Sequence, residues 1–180
     1  GLSYAFRFNE PIGHWDTSNV TDMSWMFYNA RDFNQPIGTW DTRNVTNMAF
    51  MFYNVRDFNQ PIGTWDTRNV TTMEMMFAHA TSFNQPIGTW NTSNVTDMGK
   101  MFLDARLFNQ PIANWDIRNV LDMEYMFKYS GFTQDIAAWR DKLNPDVDMD
   151  PQTRSRIIKP LNLSRAQFAF HKAFHTNAED

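Results

Sequence analysis

A block of 25 residues recurs along this chain, and no reading of its fold can ignore it. Phe-Asn-Gln-Pro-Ile-Gly-Thr-Trp starts at Phe33, Phe58 and Phe83, with looser copies at Phe8 and Phe108 and a degenerate one at Phe132. One copy is too short to bury its own apolar face, so the copies must stack and share a core.

The repeat also explains the composition. Six of the seven tryptophans form one column, Trp15, Trp40, Trp65, Trp90, Trp115 and Trp139. Ten of the twelve methionines form two columns, beginning at Met23 and Met26. Two phenylalanine columns run from Phe8 and from Phe27. A stacked core needs the same large side chain at the same place in every coil. These columns therefore read as packing and not as a cofactor or metal array.

Within one copy, Met23, Met26, Phe27 and Ala30 fall at the spacing of one helical face. Thr21 would cap that helix, Asp22 would sit in its first turn, and Pro36 would lie beyond its end. Pro-Ile-Gly-x-Trp then reads as a turn into a short extended arm, with Gly38 supplying a backbone conformation that other residues resist. The predicted fold is an α/β repeat solenoid of about six coils, each a short strand plus a short helix, over residues 1–139. A helical C-terminal cap is expected over residues 140–180, with one helix opening at Asp150-Pro151 and a second from Ser164 to about His175. Phe168, Phe170 and Phe174 would cover the last coil. The Asn columns beginning at Asn9 and Asn19 are expected to satisfy backbone groups at the turns and to bond to one another.

Charge and residue content exclude several functions. The net charge is −4; residues 1–139 hold nine Lys/Arg against fourteen Asp/Glu, and residues 140–180 hold seven against six. Nucleic acid calls for a clustered basic face that neither part has. No apolar run reaches the roughly 20 residues of a membrane span, and no cysteine is present. Four histidines, no cysteine and no consistent nucleophile–base pair argue against an enzyme. His171 and His175 have a zinc-compatible spacing but no evident third ligand. Asp146, Asp148 and Asp150 alternate as in a calcium loop, yet Pro151 and Ile157 stand where such a loop needs Gly and Glu. We expect no cofactor and no metal. Gly1–Ala5 aligns with Met26–Ala30, so the chain opens inside a repeat and is expected to be a piece of a longer parent.

The motifs Phe33-Asn34-Gln35-Pro36-Ile37, Trp40-Asp41-Thr42, Asn44-Val45-Thr46-x-Met48 and Met51-Phe52 resemble the repeat of BspA-like leucine-rich-repeat proteins. They are closer still to the repeat domain of unknown function in mycoplasma-type surface lipoproteins. That resemblance implies a curved, right-handed, leucine-rich-repeat-like solenoid on a cell surface or outside the cell, used in adhesion and without catalytic residues.

Variable columns show where a partner would bind. One reads Trp25, Phe50, Met75, Lys100, Tyr125, and beside it lie Tyr28 and Tyr53. Aromatic residues at this density on an outer face mark an interaction surface. A second column carries Arg43, Arg68 and Arg118 beside an Asp column that is expected to pair with it; the same Asp column could instead offer oxygens to calcium. The function expected from these features is a non-catalytic surface binding or adhesion module that engages a protein or glycan. Its rival is a structural subunit that self-associates laterally through the aromatic column.

Overall fold

The computed structural model of the chain describes residues 5–159 and 172–173. The helix expected from Ser164 to His175 lies outside them save for 172–173, as do Phe168, Phe170, Phe174, His171 and His175.

The described chain is a stack of coils joined by main-chain hydrogen bonds from each coil to the next. Between the second and third coils, Met48, Phe50, Phe52 and Asn54 donate their N–H groups to the carbonyls of Thr72, Glu74, Met76 and Ala78, at 2.8–3.1 Å. Thr71 returns one bond to the Thr46 carbonyl at 2.8 Å. The N–H groups in between stay within the coil: Met51, Tyr53 and Val55 donate to Met48, Phe50 and Phe52, three residues back. Alternate residues thus serve the neighbouring coil and a local turn, which leaves few backbone groups unpaired in a dry interior.

The α/β solenoid of strand-plus-helix coils does not form. Up to residue 159 the helices are a 3-10 helix over Ala137–Lys142 and one α-helix, α1, over Pro151–Ile157. No strand is present among the described residues; the coils meet in isolated parallel bridges that link Asp22, Asn47, Thr72, Asp97, Asp122 and Asp148 in sequence. The physical reason lies in the backbone of the supposed helix. Trp25, Phe50, Met75, Lys100 and Tyr125 all have positive φ, between 51° and 63°. So do Asn29, Asn54, His79, Asp104 and Tyr129, at 56–62°. A left-handed residue every fourth position breaks a right-handed helix, and it sets the third position of a hydrogen-bonded turn as in a type II turn. Overlapping turns of this kind bury residues at helix-like intervals without being a helix. Met23, Phe27 and Ala30 are accordingly buried, as the spacing required.

Inside the stack the repeat columns become ladders of rings. Phe27, Phe52, Phe77, Phe102 and Phe127 stack at 5.5–5.9 Å. Each also lies 3.9–4.3 Å from a ring of the second column, Phe33 to Phe132. From Trp40 to Trp139 every indole is buried and donates Nε1–H to an isoleucine carbonyl of the preceding coil, at 3.0–3.2 Å. Buried Thr42, Thr67 and Thr92 donate their hydroxyls to carbonyls of the following coil at 2.8–2.9 Å. Ile117 takes that place one coil later and is fully buried.

The asparagines form ladders too. Asn34, Asn59 and Asn84 each accept, on Oδ1, the N–H of the Asn one coil on. Asn44, Asn69, Asn94, Asn119 and Asn144 donate Nδ2–H to a carbonyl of the preceding coil at 2.6–3.0 Å. The role expected for Gly38 needs correction. Its φ is not positive. Glycine is required there because a Cβ would sit 2.6 Å from the Pro61 carbonyl oxygen of the next coil.

The coil bonding continues past Trp139. Met123 donates to the Asp148 carbonyl, and Tyr125 N–H reaches the Asp150 carboxylate at 2.7 Å, where earlier coils offer a main-chain carbonyl. Asp150 also caps α1, accepting from Thr153 N–H and hydroxyl. Burial pushes this carboxyl up, but the bonds from Thr153 and Tyr125 outweigh it and hold it below the ordinary carboxylate value. From α1, the Arg156 guanidinium lies over the Phe127 and Phe132 rings and donates to the Phe132 carbonyl.

Two measurements follow from this geometry. Gly88→Ala would place its Cβ 2.5 Å from the Pro111 oxygen, and chemical denaturation should show a loss of about 1–3 kcal/mol. At Met75, valine should cost about 1–2 kcal/mol while glycine costs less, because the site is left-handed. In a helix the order would reverse.

Candidate binding face

One of the two left-handed columns is the Trp25 column, which carries aromatic rings at Trp25, Phe50 and Tyr125. A positive φ turns each side chain of the Trp25 column away from the core, and the coil spacing brings consecutive members into register. Trp25 and Phe50 stack with centroids 4.0 Å apart and planes at 9°. Tyr28 and Tyr53 stack at 4.8 Å and 14°. Trp25 meets Tyr28 at 4.8 Å, and Phe50 meets Tyr53 at 5.8 Å. The result is a patch of four rings, with Trp25 43% exposed and the other three partly buried. Burial and the neighbouring Tyr28 push the Tyr53 hydroxyl above its ordinary value.

The remaining members of the column do not join that patch. Met75 and Lys100 are partly buried and separate it from Tyr125. Tyr125 belongs to a second cluster, where the Lys128 ammonium lies 4.7 Å from its ring and 5.1 Å from that of Tyr129. Tyr129, 69% exposed, was not apparent from the sequence. Its signal was a break in a column, since Asn29, Asn54, His79 and Asp104 precede it.

Residues 2–80 and 58–150 match the family model described as Mycoplasma protein of unknown function, DUF285. The chain belongs to this family. No curated protein and no solved structure matches it. In this DUF285 chain no helix among the described residues is long and apolar enough to cross a membrane.

The arginine column lies apart from the rings. Arg43 and Arg68 pair with Asp41 and Asp66 two residues back in the same coil, at 3.3 Å for Arg43. The Arg68 side chain holds Asp66 below its ordinary value against the opposing effect of burial. Arg118 donates only its backbone N–H to Asp116. In each case an Asp oxygen accepts the N–H two residues on, an Asx turn. Asn91 does the same toward Ser93, so the column needs an acceptor rather than a charge. Among the described residues no group of three or more His, Asp or Glu could hold a metal ion.

A strip of carboxylates runs beside the rings. Burial raises Glu74, with Asp97 and Asp122 adding to it. Burial likewise raises Asp97, opposed by the Gly99 N–H and reinforced by Asp122. A raised folded value means that ionised Asp97 works against folding at neutral pH, and the penalty fades as pH falls through that value. Asn47 makes the equivalent turn, accepting from Ala49 N–H at 2.9 Å. Asp97→Asn should therefore keep the turn and raise the melting temperature at pH 7. Melts repeated in acid should show that gain shrinking, with little left below about pH 4.

Proposed function

We propose that this DUF285 chain is a non-catalytic binding module that presents its ring patch to a protein partner on or outside a cell surface. The observation that carries the reading is the patch of Trp25, Phe50, Tyr28 and Tyr53, in which Trp25 and Phe50 sit on left-handed backbone and each donates a main-chain bond to the next coil. Four rings ordered before binding lose little conformational freedom when a partner arrives. Aromatic anchors in such clusters supply most of the energy at protein interfaces. In the two stacked pairs one face of every ring is already covered by its partner, which suits an apolar protein surface better than a sugar ring seeking an open face. Resemblance to the repeats of BspA-like surface proteins supports the cell-surface setting and the adhesive role. Repetition adds a second element: a rigid array can engage a partner at several points, and the second cluster at Tyr125 and Tyr129 provides one.

A binding screen over cell-surface proteins and glycans, run beside light scattering, tests the proposal. The parent should be monomeric and should bind a protein. Trp25→Ala/Phe50→Ala/Tyr53→Ala should reduce that affinity by about a hundredfold or more with the coil stack intact. A discrete oligomer dissociated by the same substitutions would favour a laterally packed structural subunit, and binding confined to glycans would contradict the preference for protein.

A further inference from the structure

A polar groove of about 190 Å³ opens on the flank of the stack, lined by Asn54, Arg56, His79, Thr81, Asp104 and Arg106. The repeat explains its shape. Asn54, His79 and Asp104 occupy one left-handed column in three successive coils. Two residues further on come Arg56, Thr81 and Arg106, so a short Thr stands between two arginines. The side chain missing at Thr81 leaves the gap.

Both arginines are held in place at one end. Arg56 Nε donates to Asn54 Oδ1 at 3.1 Å, and Arg106 Nε donates to Asp104 Oδ1 at 2.9 Å. The terminal nitrogens of both guanidinium groups make no hydrogen bond among the described residues. Asp104 is the one acid in the lining, and its charge is already engaged. Oδ1 takes Arg106, and Oδ2 lies 2.9 Å from His79 Nδ1. Burial would raise Asp104, but the bonds from His79 and Arg106 prevail and keep it below its ordinary value. An ionised Asp104 fixes the tautomer of His79, whose Nδ1 carries the proton and donates. With His79 neutral the lining sums to two positive charges and one negative, a local excess of +1 on a chain of net −4.

We infer that this groove is a binding site for a small oxyanion, taken by the terminal N–H groups of Arg56 and Arg106 with the Thr81 hydroxyl between them. Guanidinium forks match the paired oxygens of such groups in geometry and charge, and pinning through Nε orders them in advance. The site is distinct from the ring patch, although Tyr53 packs edge-on against His79 at 5.3 Å and makes the two surfaces adjacent.

Inorganic sulfate is the probe, because its charge is constant across the working pH range. Sodium sulfate would be titrated into isotope-labelled protein and followed by NMR, with sodium chloride at equal ionic strength as reference. Saturable shifts of the Thr81 amide and the His79 ring, with a millimolar dissociation constant, are expected. Arg56→Gln/Arg106→Gln should weaken binding by about tenfold or more, its remaining spectrum reporting an intact stack. Arg43→Gln/Arg68→Gln, which removes exposed charges elsewhere on the stack, should bind as the parent does. Shifts no larger than those with chloride, undiminished binding by the first double variant, or an equal loss in the second would each overturn the assignment.

Discussion

The structure depends on one interaction, the main-chain hydrogen bond from alternate residues of one stretch of each coil, such as Met48 to Asn54, to carbonyls of the next. Phe50 to Glu74 and Phe52 to Met76 are typical, each spanning 24 residues at 2.9 Å. Because alternate N–H groups point along the stack, the intervening ones must close local turns. Those turns impose positive φ on Trp25, Asn29 and their equivalents. A non-glycine residue there costs about 1 kcal/mol or more, and the regular bonding on either side over-determines the conformation. One of the two columns that bear this cost carries Trp25, Phe50 and Tyr125. Scaffold and candidate face are therefore products of the same backbone.

Register follows from the same constraint. A fixed step of one coil puts each side chain against its counterpart, so a column must suit self-stacking. Phenylalanine and tryptophan do so through their faces, asparagine through a donor and an acceptor, and threonine through a hydroxyl to the next carbonyl. Close approach leaves no room for a Cβ at Gly38 and Gly88. Ala113 occupies that column only where the next coil has Asp135 in place of proline.

Much of this was legible in the sequence, and the limits are instructive. The buried columns and the asparagine ladders could be read from spacing, because stacking repeats whatever it uses, and the helix opening at Pro151 from the Asp-Pro pair that starts it. Secondary structure could not. Met23, Phe27 and Ala30 have helical intervals, yet the same intervals arise from overlapping turns. The contrary signal was the run Asn29, Asn54, His79 and Asp104, residue types that tolerate left-handed backbone. Gly38 suggested an unusual φ, whereas its role is contact with a neighbouring coil that no single repeat reveals. The ring patch was visible as a column, but its division at Met75 and Lys100 depends on how far each side chain is buried in the stack. The groove was hidden because its signal is a missing arginine, Thr81, between Arg56 and Arg106 of the same column.

The most direct test of the account is a through-hydrogen-bond scalar coupling by NMR, read at the Phe50 amide nitrogen. Stacked coils predict coupling to the Glu74 carbonyl carbon, with equivalent pairs from Phe52 to Met76 and from Asn54 to Ala78. Coupling from Phe50 to the carbonyl of Thr46, four residues earlier as in an α-helix, would contradict it.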